Sequence, residues 1–321
     1  MFNNNKINIK KDDNKMDTHK TTDEKIVKKK IKHLVFNGGG PTGFITYGAA
    51  KQLNISGIWN LEDIETMYGC SIGGCLSFIL SLGYEWEWLD DYFIKRPWMN
   101  ILKININSII SSFDEKGFLD ETFFINVMEP LLLGKNLDKN ITLKEFYEWN
   151  KKEIHVYSTN INSPNFEKID ISYKTHPDLC VIRAIYISCS YPILFKPFCV
   201  DDFCYIDGGL LNNYPLNDCI KQTNCDTDEI LAFKNNYTSK KYNITEKSTI
   251  FDFIYALIKK MKDEIISDNK QINIKNTVYS IIDNLSDISE WINIIESEQS
   301  RSKLIELGVQ HANYFISYHN Y

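Results

Sequence analysis

An α/β fold with parallel strands at its centre is the class this sequence predicts. Two observations carry it: a strand, glycine loop and helix follow one another twice within the first 82 residues, and the composition is that of a packed chain. In the first unit the apolar run 33–37 ends in Gly38-Gly39-Gly40, and helical spacing follows over 44–53. In the second, the apolar run 64–68 enters Gly69-Cys70-Ser71-Ile72-Gly73, and 72–82 is again helical. Two such units in succession need right-handed crossovers, which set their strands parallel. With 321 residues, 43% apolar and 13% aromatic, the chain can bury one large core or two modest ones, which excludes disorder throughout.

The remaining elements follow in order. Helical spacing runs over 85–95, 98–111, 119–133 and 142–150. Residues 153–161 and 166–173 alternate as strands around a turn holding Pro164, so an antiparallel hairpin is expected at one side of the sheet. A helix over 178–188 stops at Ser190-Tyr191-Pro192, where proline cannot continue it. Residues 198–206 turn tightly at Asp201-Asp202 and deliver Asp207 from a strand end, and 229–234 is expected to be the last core strand. Beyond it, 250–262 and 277–295 are amphipathic and the chain stays helical to about 307. The divisions expected are a disordered lysine-rich tail over 1–32, a core over 33–235 and a helical extension over 236–321 packed on that core.

Charge bounds the partners. Residues 1–32 hold ten lysines against five acidic residues, leaving 26 basic against 37 acidic in the remainder. So acidic a body does not favour nucleic acid. The tail has two open readings, a solvated arm or a weak contact to an anionic membrane surface. No apolar run reaches the 18 to 20 residues, roughly, that a transmembrane helix needs, and no hydrophobic stretch follows the N-terminal lysines. A cytoplasmic location, with peripheral membrane contact at most, is therefore expected. Eight cysteines lacking C-x-x-C pairs or histidines at metal spacing read as reduced, mostly buried thiols rather than disulfides or zinc ligands. No cofactor is expected.

Glycines two before and two after Ser71, at a strand-to-helix junction, form the pattern of a nucleophile elbow, a turn tight enough to push the hydroxyl clear of the backbone. A serine needs a base to take its proton and donors for the oxyanion that follows. Gly38, Gly39, Gly40 and Gly43 can turn backbone amides toward one anion at a helix start, Gly39 and Gly40 as donors and the other two as shapers of the loop. Gly38-x-Gly40-x-x-Gly43 also fits a nucleotide loop, although the phosphate-binding lysine pattern is missing. For the base, His311 would complete a Ser, Asp, His order, but only one strand precedes the elbow, against the several of an α/β-hydrolase. His33, His155 and His176 read as structural. Asp207, ahead of Gly208 and Gly209, can project from its turn to a serine on a neighbouring strand end and act as base without imidazole.

Taken together, these residues resemble the patatin-like phospholipase family over about 33–235. Gly38-Gly39-Gly40-x-x-Gly43 is similar to its oxyanion loop, Gly69-Cys70-Ser71-Ile72-Gly73 to its nucleophile elbow, and Asp207-Gly208-Gly209 to its aspartate motif. The segment Ser188-x-Ser190-x-Pro192-x-x-Phe195-x-Pro197 is similar to the one that precedes that aspartate. The resemblance implies a three-layer α/β/α sandwich with a mostly parallel central sheet. It also implies a Ser71–Asp207 dyad, an acyl-enzyme, phospholipid or acylglycerol esters as substrates, and no metal. Thr42 departs from the pattern, since the family usually has Arg or Lys there. An inactive lipid-binding or interaction protein on the same scaffold is the competing reading. The aromatic helices after the elbow (Tyr84, Trp86, Trp88, Tyr92, Phe93, Trp98) are expected to line an apolar groove.

Overall fold

The computed structural model describes residues 29–102, 114–238, 244–267, 272–282 and 288–319. Residues 1–28, most of the lysine-rich tail, lie outside the described residues. Of the tail, residues 29–32 are described, and Lys29 and Lys30 are exposed. Ile31 is buried, and the Lys32 amide donates to the Glu229 carbonyl at 2.8 Å.

The two expected β-loop-α units are present as β1 (His33–Phe36) with α1 (Gly43–Ile55) and β2 (Thr66–Cys70) with α2 (Ile72–Ser81). Strand β1 pairs parallel with β2, and β2 with β4 (Glu153–Asn160). On the other side β1 pairs parallel with β9 (Ile230–Tyr237). The antiparallel hairpin also forms, β5 (Glu167–Ile171) pairing only with β4. The turn at Asp201-Asp202 joins β7 (Phe198–Val200) to β8 (Phe203–Asp207). The whole sheet has the order β10-β9-β1-β2-β4-β8-β7, with β5 beside β4, and β3 (Gly117–Leu119) pairs with β6 (Ile193–Phe195) in a separate parallel ribbon.

Two expectations are corrected here. The sheet does not end at 229–234, because β10 (Thr277–Ile282) pairs parallel with β9 as a further strand. Its residues fall within the amphipathic segment 277–295 expected to be helical. Val278 and Ile282 do share a helical face, but Thr277, Val278, Ile281 and Ile282 are β-branched and the segment adds to an open sheet edge. Helix α8 (Ile250–Ser267) precedes that strand, and α9 then covers only Ile288–Glu296. The helix expected over 98–111 begins as a single 3-10 turn at Trp98–Asn100, and its residues 103–111 lie outside the described residues.

The central strands are buried on both faces, as parallel strands covered by helices must be. Along β1, Leu34 and Phe36 enter the larger core and Val35 the smaller one on the opposite face. The larger core gathers α1, α2, α3 (Trp86–Lys95), α4 (Glu121–Leu133), α5 (Leu143–Asn150) and α6 (Val181–Cys189); α7 (Leu216–Thr223) packs on the smaller. This is the three-layer sandwich expected. The C-terminal helix α10 (Glu298–His319) crosses α1 at glycine contacts: a Cβ on Gly48 would fall on the Ile305 carbonyl, and one on Gly308 on the Ile45 carbonyl. Arg301 of α10, 2% exposed, donates to the carbonyls of Phe93, Ile94 and Arg96 at the end of α3 and of Ile295. It thereby satisfies carbonyls that the helix itself leaves open.

Candidate active site

Strand β4 brings the two sequence motifs together. Its residues 153–157 pair with β2 and residues 158–160 with β8, while β5 occupies its opposite edge over 156–160. Strands β2 and β8 therefore share one edge of β4 and meet end to end, with Cys70 opposite Tyr157 and Asp207 opposite Ser158. Parallel β2 delivers Ser71 and antiparallel β8 delivers Asp207 to the same point.

Ser71 takes φ 53° and ψ −128°, a left-handed conformation that costs a non-glycine residue about 1 to 3 kcal/mol and persists only where the surroundings enforce it. The enforcement is visible. A Cβ on Gly69 would strike the Gly73 backbone, and one on Gly73 would come within 2.7 Å of the Phe36 carbonyl, so strand and helix close around the serine. Its amide donates to Ser188 Oγ at 3.0 Å, and Ser188 donates to the Tyr157 carbonyl at 2.8 Å. The Ser190 carbonyl accepts the Asp207 amide at 2.9 Å. The serine-rich segment before Pro192 thus ties both motifs to one frame.

Asp207 is 5% exposed. Its Oδ1 accepts the Gly209 amide at 2.6 Å and faces the Cys70 thiol at 3.9 Å, while Oδ2 is buried with no hydrogen bond formed. Burial raises the Asp207 pKa; the Ser71 hydroxyl, the Gly209 amide, the Lys262 charge and Cys70 oppose that rise without cancelling it. A buried carboxylate with one oxygen held and the other open beside a serine is a proton acceptor of raised basicity.

The glycine loop is organised by asparagines that the motifs did not reveal. The Gly38 amide donates to the Asn213 carbonyl at 2.9 Å, so it is a shaping group rather than an anion donor. The Gly38 carbonyl accepts Asn37 Nδ2 at 2.6 Å, Asn213 Nδ2 at 3.2 Å and Asn235 Nδ2 at 3.4 Å. Thr42, where a cation was expected, is buried; its hydroxyl donates to the Gly39 carbonyl at 3.1 Å and accepts Asn235 Nδ2 at 2.7 Å. The amides of Gly39 and Gly40 donate to no backbone acceptor among the described residues, whereas that of Gly43 closes the turn onto Gly40. Gly208 and Gly209 form the 3-10 turn after Asp207.

Ser71, Asp207 and Gly38 to Gly40 line one cavity of about 640 Å³. Of the aromatics expected to line it, Phe93 and Trp98 do so, joined by Phe44, Phe123, Phe124 and Trp291. Tyr84, Trp88 and Tyr92 instead stack on one another away from it, and the Trp86 indole donates to Asn54. His311 sits on α10 and is absent from the lining; burial lowers its pKa. His155 lies between Glu153 and Asp170, each at 2.8 Å, and is absent from the cavity lining.

Comparison with known proteins agrees with this architecture. The family model described as patatin-like phospholipase matches residues 34–220. The chain belongs to the patatin-like phospholipase family. It is thus a member of a lipid-hydrolase family. It is 31% identical over 223 residues to "Probable lipid hydrolase 463L" of Invertebrate iridescent virus 6, covering 67% of this chain and 74% of that one. It is 26% identical over 197 residues to protein R571 of Acanthamoeba polyphaga mimivirus, covering 61% and 64%. Among solved structures it is similar to VipD from Legionella pneumophila, with TM-score 0.46 and 17% identity over 88% of this chain and 67% of that one. No helix of the described residues is long and apolar enough to cross a membrane.

Proposed function

We propose that this chain hydrolyses carboxylic esters of lipids through an acyl-enzyme on Ser71, with Asp207 as the only titratable partner the reaction uses. The observation that carries the reading is the open, buried Asp207 Oδ2 beside a serine held in a strained elbow. Ser71 Oγ attacks the ester carbonyl as its proton passes to Asp207, and the carbonyl electrons move to an oxyanion facing the Gly39 and Gly40 amides. Collapse of that intermediate expels the alcohol, which takes the proton from Asp207. Water then enters, gives a proton to Asp207 and attacks the acyl-serine; release of the fatty acid returns the proton to Ser71. Three asparagine amides on the Gly38 carbonyl hold the loop's backbone in place, which supports the pre-organisation on which oxyanion stabilisation depends. Thr42 braces this loop as a neutral residue at the position where the family usually has a cation.

The test is a fluorophosphonate probe with a short-chain ester assay. Wild type is labelled on Ser71 and turns over; Ser71→Ala is folded, unlabelled and inactive. Ester turnover by the folded alanine variant would refute the assignment.

A further inference from the structure

Two of the cysteines that the sequence presents as separate thiols face each other across the β7–β8 hairpin, and neither lines the cavity. We propose that Cys199 and Cys204 are a modification site, at which a low-molecular-weight disulfide oxidises the two thiols to an intrachain disulfide that staples this hairpin three residues before Asp207.

Asp201 and Asp202 make the turn, with Asp201 at φ 50°, so Val200 pairs with Phe203 and Cys199 with Cys204. In a two-residue hairpin the pair flanking the turn exchanges hydrogen bonds and the next pair does not. Cys204 fits that pattern. Its amide donates to Asn160 Oδ1 at 3.2 Å and its carbonyl accepts the Ile161 amide at 3.0 Å, both away from β7. Cys199 and Cys204 are therefore a non-hydrogen-bonded pair, whose Cα atoms stand about 4.5 Å apart, within the range of roughly 4.4 to 6.8 Å that a disulfide spans. Their sulfurs are 2.8 Å apart. The side chains already point at one another, so closing the bond needs no backbone movement.

Access divides the two roles. Cys199 is exposed and Cys204 buried, so Cys199 meets the oxidant first. After losing its proton to water, Cys199 attacks one sulfur of the small disulfide R–S–S–R; the other half leaves as a thiolate and takes up a proton, and a mixed disulfide remains on Cys199. Cys204 then attacks the Cys199 sulfur as its own proton leaves, and the second R–SH departs. Two protein thiols are oxidised, one small disulfide is reduced to two thiols, and no other electron carrier is needed. Burial, and then contact with Cys199, push the pKa of the Cys204 thiol up to about 12. The second cause ends once the Cys199 sulfur is capped, and the Lys116 charge favours the thiolate, so capping Cys199 readies Cys204 to resolve the mixed disulfide.

The bond would act where the sheet is least held. Among the described residues β7 ends the sheet and pairs only with β8, and β8 pairs with β4 over Tyr205 to Asp207 alone. Val200 and Phe203, on either side of the turn, are exposed. A covalent tie at Cys204 removes the freedom of this edge to open, and it leaves unchanged the register that sets Asp207 opposite Ser158. The oxidised chain therefore keeps the geometry of the site and unfolds less readily.

The test equilibrates the full chain with excess oxidised glutathione or with dithiothreitol, then unfolds it in N-ethylmaleimide for mass spectrometry with peptide mapping. In the oxidised sample Cys199 and Cys204 are expected joined to each other and free of maleimide; in the reduced sample both carry it. The thermal midpoint of the oxidised form should lie at least about 2 °C above that of the reduced form. In Cys199→Ser, a change at an exposed position, that gap should vanish. Maleimide on both cysteines of the oxidised sample, or a lasting glutathione adduct on Cys199 beside an unbonded Cys204, overturns the site. A bond formed with no rise in midpoint, or a rise that persists in Cys199→Ser, overturns the staple. Neither readout needs an ester, so the outcome here and the outcome for the proposed hydrolysis are independent.

Discussion

Asp207→Asn separates a chemical role for this carboxylate from a structural one. The substitution keeps an oxygen that can accept the Gly209 amide, now 2.6 Å from Oδ1, and an amide group replaces the oxygen that makes no hydrogen bond. The turn therefore keeps its bond, but the side chain can no longer take a proton and presents N–H to the serine. General-base catalysis contributes a factor of about 10² to 10⁴, so kcat/KM on a soluble short-chain ester should fall by that amount, about 3 to 5 kcal/mol of transition-state stabilisation. Stability should move the other way or not at all. Burial raises the Asp207 pKa, which means the folded protein holds this charge at a cost that asparagine removes. The assay pairs ester kinetics with the thermal midpoint of the same preparation. Activity within tenfold of wild type in a folded Asp207→Asn chain would refute the role of base, and a large activity loss tracking a lowered midpoint would show that the carboxylate is structural.

The remaining expectations concern the frame around the site. Asn235→Leu removes the amide that bonds Thr42 Oγ1 at 2.7 Å and leaves the Gly38 carbonyl with two asparagine donors; kcat should fall more than KM changes, with about 1 to 3 kcal/mol lost in urea unfolding. Arg301→Met leaves the carbonyls at the end of α3 without their buried donor, and a loss of roughly 3 kcal/mol or more should appear as a lowered thermal midpoint. The pKa of His155 is raised: burial lowers it, but bonds to Asp170 and Glu153 more than restore it. Its contribution to stability is complete below the ordinary value of 6.5 and is lost as pH rises through the higher folded value, so urea midpoints should decline as pH rises past 6.5 in wild type and change less over that range in His155→Gln.

What could be read from the residues in order was what short-range sterics dictate. A glycine on either side of a nucleophile, three glycines at a strand end and Asp-Gly-Gly after another strand each constrain a few consecutive residues. Their chain order carried the family resemblance, and the apolar periods of β1, β2 and β4 carried the sheet. The meeting of Ser71 and Asp207 was foreseeable only as a possibility, since it depends on β4 extending three residues past β2 and offering that edge to β8. The asparagines at 37, 213 and 235 lie far apart along the chain and converge on one carbonyl, so no local pattern marks them. Thr42 looked like a missing cation until its burial and its bonds to Gly39 and Asn235 made it a brace. Strand β10 hid within a helix-like apolar spacing because the open edge of β9 that selects it lies forty residues earlier. Local geometry is encoded where neighbours in sequence are neighbours in space; which distant side chains share a cavity is settled by packing alone.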